Sequence, residues 1–149
     1  MRRGHAFYLA AVVLIATCCQ ARDLAIVVNK TNSISTVTAV EFEKLLKTTT
    51  QNWPDGKRVK IFLTDPSADD IRTILPRACK MTPAEIKSLA EAHRIDIQIV
   101  SSDELVLSLV DNNPGALGIV NVYSINSRVK VLKVDDKLPL EPGYLLHGN

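Results

Sequence analysis

The sequence predicts an α/β fold: a single three-layer lobe built on a mostly parallel sheet of about five strands. Three observations lead there. Short apolar runs alternate along the chain with longer amphipathic segments. Capping residues open the amphipathic segments, and turn residues close them. The connections are long enough for helical crossovers between parallel strands, except for the last one.

The first strand is Leu24-Ala25-Ile26-Val27-Val28, apolar throughout and therefore suited to burial on both faces. It stops at Asn29 and gives way to a polar loop over 30–37 that includes Asn32, Ser33 and Ser35. A helix opens at Thr38, where Thr38 and Glu41 have capping-box spacing, and Phe42, Leu45 and Leu46 form its inward face. Strand, polar loop and helix start form a common place for an α/β protein to meet a small anion, so Asn32, Ser33 and Ser35 are candidate ligand residues.

A loop over 48–56 carries the only tryptophan, Trp53, ahead of the turn Pro54-Asp55-Gly56. A loop tryptophan more commonly plugs the core edge than stacks on a ligand. The second strand spans 58–64. It runs into Asp65-Pro66-Ser67-Ala68-Asp69-Asp70, read as a capped start to a helix ending near Arg77, with Asp69 and Asp70 at its positive end. Thr82-Pro83-Ala84-Glu85 opens another helix, with Ile86, Leu89, Ala90 and His93 inward. The third strand is 95–100, and Ser101-Ser102-Asp103-Glu104 reads as a further capping box before an apolar helix that stops at Asn113-Pro114-Gly115. Strands over 116–122 and 129–134 follow. The six residues between them are too few for a helical crossover, which predicts an antiparallel pair. The tail over 139–149 is expected as irregular surface chain. In this arrangement the loops at 29–36 and 64–69 and the turn at 101–102 gather at one edge of the sheet.

The amino terminus reads as a secretory leader: Arg2 and Arg3 precede an apolar stretch too short to span a bilayer. Small residues at Cys19 and Ala21 place cleavage after Ala21, leaving residues 22–149 as one domain; lipidation at Cys18 or Cys19 is the alternative. The expected location is periplasmic or secreted. The leader holds no acidic residue, so the net charge of +2 belongs to it and the remainder is balanced. That balance argues against a nucleic-acid partner. Cys79, the one cysteine beyond the leader, reads as a small buried hydrophobe.

No zinc-ligand spacing, nucleophile elbow, phosphate loop or dinucleotide fingerprint is present, so neither an enzyme nor a cofactor is expected.

An ordered set of weak motifs resembles the phosphate-type substrate-binding proteins of ABC transporters, within the type 2 periplasmic-binding-protein-like fold. They are Ala25 to Asn29, the 40–46 helix followed by Asn52-Trp53, Val59 to Ser67, Pro114-Gly115-Ala116-Leu117-Gly118-Ile119-Val120, and Glu141-Pro142-Gly143-Tyr144. The resemblance implies an exported binding protein for a small phosphate-like anion, partnered by a transporter or another envelope protein and not itself integral to the membrane. It places Ser67 at the family's binding serine, with Ala68 and Asp69 where the family has Gly-Thr, and Leu63 where it has an arginine. Arg72, one turn on, is the available substitute cation. A carboxylate beside an anion repels it and the missing arginine removes a bidentate donor, so phosphate affinity is expected to be low. The family closes two lobes over its ligand, and this length provides one. The alternative reading is a single-lobe envelope interaction module with no small ligand.

Overall fold

The computed structural model describes residues 22–48 and 51–148; the leader, its cysteines and the cleavage position lie outside them. β1 (Leu24–Asn29), β3 (Lys60–Leu63), β4 (Ile97–Ile99), β5 (Ala116–Asn121) and β6 (Val129–Val131) form one sheet in the order β4-β3-β5-β1-β6. A second, two-stranded parallel ribbon joins β2 (Thr36–Val37) to β7 (Lys133–Val134). Sequence periodicity missed β2, because two residues carry no readable pattern.

β3 pairs in parallel with β4 and β5, whereas β1 is antiparallel to β5 and β6. Four strands thus run one way and β1 alone runs against them. The expected β5–β6 hairpin does not form, because β1 lies between those two strands. The link over 122–128 crosses β1 and returns along it, from Asn121 opposite Leu24 to Val129 opposite Asn29, and seven residues can span that without an α-helix. The link begins with a 3-10 turn (Val122–Ser124), and Ile125 packs against the smaller of the two apolar clusters.

Helices cover both faces, as a three-layer lobe requires. α1 (Ala39–Lys47), α2 (Leu75–Cys79) and α3 (Pro83–Ala92) bury Phe42, Leu46, Leu75, Ile86 and Ala90 against Ile26, Ile61, Leu63 and Ile119. α4 (Asp103–Asn112) lays Val106, Leu107 and Val110 over Ala25, Val27, Phe62 and Val120 on the other face. β1 is buried at every position.

The local capping expectations are met at Thr38 and Thr82, where hydroxyl and Glu41 or Glu85 exchange both bonds. At α4 only the Ser102 hydroxyl caps, to Leu105 N–H at 3.2 Å; Asp103 turns away to accept from Asn121 N–H and Ser124 Oγ. The helix expected from a Ser67 cap to about Arg77 is replaced by turns through Ile74 followed by the short α2. Trp53 does plug the core edge, donating its indole N–H to Gly115 C=O at 3.0 Å. Cys79 is buried, and burial pushes its thiol pKa up.

The Pro-Gly-Ala-Leu-Gly-Ile-Val stretch owes both glycines to close approach. A Cβ at Gly118 would stand 2.6 Å from Val106 Cγ1 and 2.9 Å from Val110 Cγ2, so α4 can sit on β5 only where no side chain projects. At Gly115 the obstacle is backbone, the Arg58 carbonyl oxygen 2.1 Å from where a Cβ would be.

The tail is irregular but not superficial. Tyr144 and Leu146 are buried within the larger cluster, and Leu24 N–H donates to Leu146 C=O. Asp23, fully buried, gathers the tail: its carboxylate accepts from Leu140 N–H at 2.6 Å and Gly148 N–H at 3.2 Å, and lies 2.6 Å from His147 Nδ1.

Candidate functional site

The direction of β1 separates the sequence-derived candidates. Leu24 lies opposite Asn121 and Val28 opposite Leu117, while Leu63 lies beside Ile119 and Lys60 beside Ala116. The loop leaving β1 therefore emerges at the end of the sheet where β3 and β5 begin. The loop leaving β3 emerges at the other end, with the starts of β1 and α4. Asn32, Ser33 and Ser35 are thus at one end and Ser67, Ala68 and Arg72 at the other. The expectation that these loops share one edge is overturned.

At the first end the side chains serve the loop itself. Asn29 donates to the carbonyls of Val110 and Asp111, both at 2.9 Å, closing the carboxyl end of α4. Its Oδ1 accepts from the N–H and hydroxyl of Thr31. Asn32 is buried (3% exposed), accepts from Ile34 N–H and offers its backbone carbonyl to Lys130 Nζ, while its Nδ2 has no protein partner. Ser33 and Ser35 are exposed, and Ser35 C=O accepts from Lys133 N–H.

At the second end a compact polar arrangement forms around Ser67. Asp65 Oδ1 accepts from Ser67 N–H at 2.9 Å and from Ser67 Oγ at 2.7 Å, the turn chemistry of an Asp two residues ahead of its donor. Lys87, reaching from α3, places Nζ 2.9 Å from Ser67 Oγ and 3.1 Å from Asp65 Oδ1. The hydrogen bonds from Ser67, followed by that from Lys87, hold the Asp65 pKa down at about 2. The carboxylate is therefore ionised at every physiological pH. Its contribution to stability is present above the unfolded value near 3.8 and fades as pH falls through about 2.

Ser67 thus bonds Asp65 rather than capping Asp70, and the neighbouring acids find cations instead: Asp69 pairs with Arg72 at 3.3 Å and Asp70 with Arg22 at 3.5 Å. Arg72 is exposed and occupied by Asp69; Ala68 is exposed and uses its carbonyl to accept from Ile71 and Arg72 N–H. Leu63 is completely buried. Lys87 escaped sequence reasoning because it lies twenty residues from Ser67, with α2 and the turns around it in between. Asp65 was legible: Asp-Pro-Ser is itself a turn signal.

Among the described residues no group of three or more His, Cys, Asp or Glu is placed to hold a metal, and no helix is long and apolar enough to cross a membrane. A lone strand running against four, with helices on both faces, makes a three-layer α/β lobe. The chain has the fold of phosphate-transporter substrate-binding proteins. It superposes on an ABC-type phosphate transport receptor from Vibrio cholerae with a TM-score of 0.70 at 17% identity, covering 86% of this chain and 54% of that one. For PstS from Borrelia burgdorferi the TM-score is 0.68 at 19% identity, with 87% and 55% covered. For a putative phosphate ABC transporter substrate-binding protein with bound phosphate from Clostridium perfringens it is 0.62 at 18% identity, with 79% and 47% covered. The chain spans about half the length of these structures, and at these identities the likeness is one of fold. No protein-family model matches the sequence. No curated protein matches it either.

Proposed function

We propose that this chain is an exported solute-binding protein of the phosphate-receptor type, whose ligand is a small phosphate-like anion met with low affinity at the Ser67–Lys87 end of the lobe. The reading includes a leader cleaved after Ala21, a single domain over 22–149, an ABC transporter or another envelope protein as partner, and no catalysis. The observation that carries it is the superposition of nearly the whole chain on phosphate receptors, with a hydroxyl and an ammonium 2.9 Å apart at the sheet end where β3 stops. Asn32, Ser33 and Ser35 belong to this reading only as a separate, weaker polar loop at the far end.

Low affinity follows from three features. Asp65 already takes the Ser67 hydroxyl and faces the Lys87 ammonium, so an anion must compete with a resident carboxylate. Leu63 offers no cation, and Arg72 is neutralised by Asp69. Asp65 and Ser67 are exposed, which leaves the competition partly in water. The same features favour the alternative of an interaction module that has kept the lobe and lost the ligand.

A thermal melt in non-phosphate buffer, with and without millimolar phosphate, tests the reading. A ligand that binds only the folded chain stabilises it by about 2.7 kcal/mol at a hundredfold excess over Kd, and by less near Kd. A shift of a few degrees is expected for phosphate, abolished by Ser67→Ala. An unchanged melting temperature across phosphate, sulfate and arsenate would set the interaction module in its place.

A further inference from the structure

We infer that the anion met at the Ser67–Lys87 end is a phosphate monoester with an uncharged apolar body, and that this body lies along the groove between α3 and β4. The inference rests on the anion reading above and names its ligand class. An open groove of about 530 Å³ holds Asp65 and Lys87 in its wall and continues past Ala90 and Ile97 to Arg94. That is the size of a site for a small organic molecule and several times what a phosphate ion fills. In register Ile99 lies beside Leu63, two residues before Asp65, and Ile97 lies beside Ile61, further in. Residues two apart on a strand face the same way, and Ile97 packs in the core with Ala90 of α3, so Ile99 is turned toward α3 as well. Ile97 and Ala90 are buried, whereas Ile99 is 37% exposed. An apolar side chain thus stands open to water in the groove, at the same end of the sheet as the hydroxyl and the ammonium.

The groove's charges select a neutral body. Asp65 and Lys87 stand 3.1 Å apart at one end, and Glu91 and Arg94 bring one further charge of each sign, so the four cancel. Glu91 and Arg94 are three residues apart and together offer no net attraction to a second charge of either sign. Lys87 is already shared between Asp65 and Ser67, so charge alone gives an incoming anion little advantage over the resident carboxylate. Ile99 differs in this respect. It stays exposed with Asp65 in place, so apolar contact is a gain that the carboxylate does not already take. Inorganic phosphate has no apolar group to lay on it, and a monoester has one. Covering that face with an aromatic ring is worth about tenfold in affinity.

Calorimetric titration of inorganic phosphate, methyl phosphate and phenyl phosphate decides it, at mildly alkaline pH where all three are dianions. The titrations are made into the parent and into Asp65→Asn, which frees the ammonium and brings the weakest ligand into range. Phenyl phosphate should bind about tenfold more tightly than inorganic phosphate, with methyl phosphate between them. In Ile99→Thr, which keeps the β-branching that suits a strand, the gap should close to within about threefold. Phenol alone should give no binding heat. Phenyl phosphate binding no better than inorganic phosphate, a gap that persists in Ile99→Thr, or phenol binding as tightly as its phosphate would each overturn the inference. Inorganic phosphate bound without the advantage of the ring would remove this ligand class and leave the anion reading standing. No binding of any of the three to either protein would remove both.

Discussion

Replacing Asp23 with alanine is expected to destabilise the protein by about 3–5 kcal/mol. The carboxylate is fully buried and serves as the common acceptor for Leu140 N–H, Gly148 N–H and the ring of His147. Truncation leaves two backbone donors without a partner inside the fold and adds a cavity. It also frees the tail, and with it the grip of Tyr144 and Leu146 on the larger core. Asp23→Asn retains one acceptor oxygen and should fall between parent and alanine. The check is chemical denaturation of all three. For a chain of this size the alanine variant should melt roughly 10–20 °C below the parent. A loss under about 1 kcal/mol would mean that the tail is not anchored through this carboxylate.

Gly115→Ala should be nearly as damaging, at about 3 kcal/mol, toward the top of the overpacking range. The added methyl would meet the Arg58 carbonyl oxygen at 2.1 Å, and a backbone atom cannot rotate out of the way. Relief requires the start of β3 to move away from β5. That movement strains the Lys60 N–H bond to Gly115 C=O, the Trp53 indole bond to the same oxygen, and the bidentate Arg58–Asp96 pair that ties β3 to the turn before β4. Quenching or red shift of Trp53 fluorescence at equal denaturant would report the displacement. A variant of parental stability and unaltered fluorescence would contradict this account of the glycine.

These two positions show what a sequence discloses and what it withholds. The capping boxes at Thr38 and Thr82 were legible because donor and acceptor are three residues apart. The strand at 24–28 was legible because burial on both faces demands an unbroken apolar run. The Pro-Gly-Ala-Leu-Gly-Ile-Val stretch could be matched as a pattern, but its cause, Arg58 backbone and the α4 valines, is long-range. The role of Asp23 was invisible, since its partners are more than a hundred residues away. The direction of β1 was misjudged for a related reason. Strand direction depends on which neighbours a strand inserts between, and residues 24–28 carry no mark of β5 and β6. That one direction divided the candidate site. Of the six residues proposed, Ser67 brings its hydroxyl to the Lys87 ammonium, which Asp65 already engages, and Lys87 lay outside the proposed set.

On the proposed reading, Asp65 holds the place an anion would take. Calorimetric titration of phosphate into the parent and into Asp65→Asn tests it directly. Asparagine keeps an oxygen for Ser67 N–H, so the turn survives, but it releases the Lys87 ammonium and removes the like charge. Phosphate affinity should rise about tenfold or more in the variant, with a binding heat that weakens in salt. Equal affinity in the two proteins, or no binding heat in either, would contradict the claim.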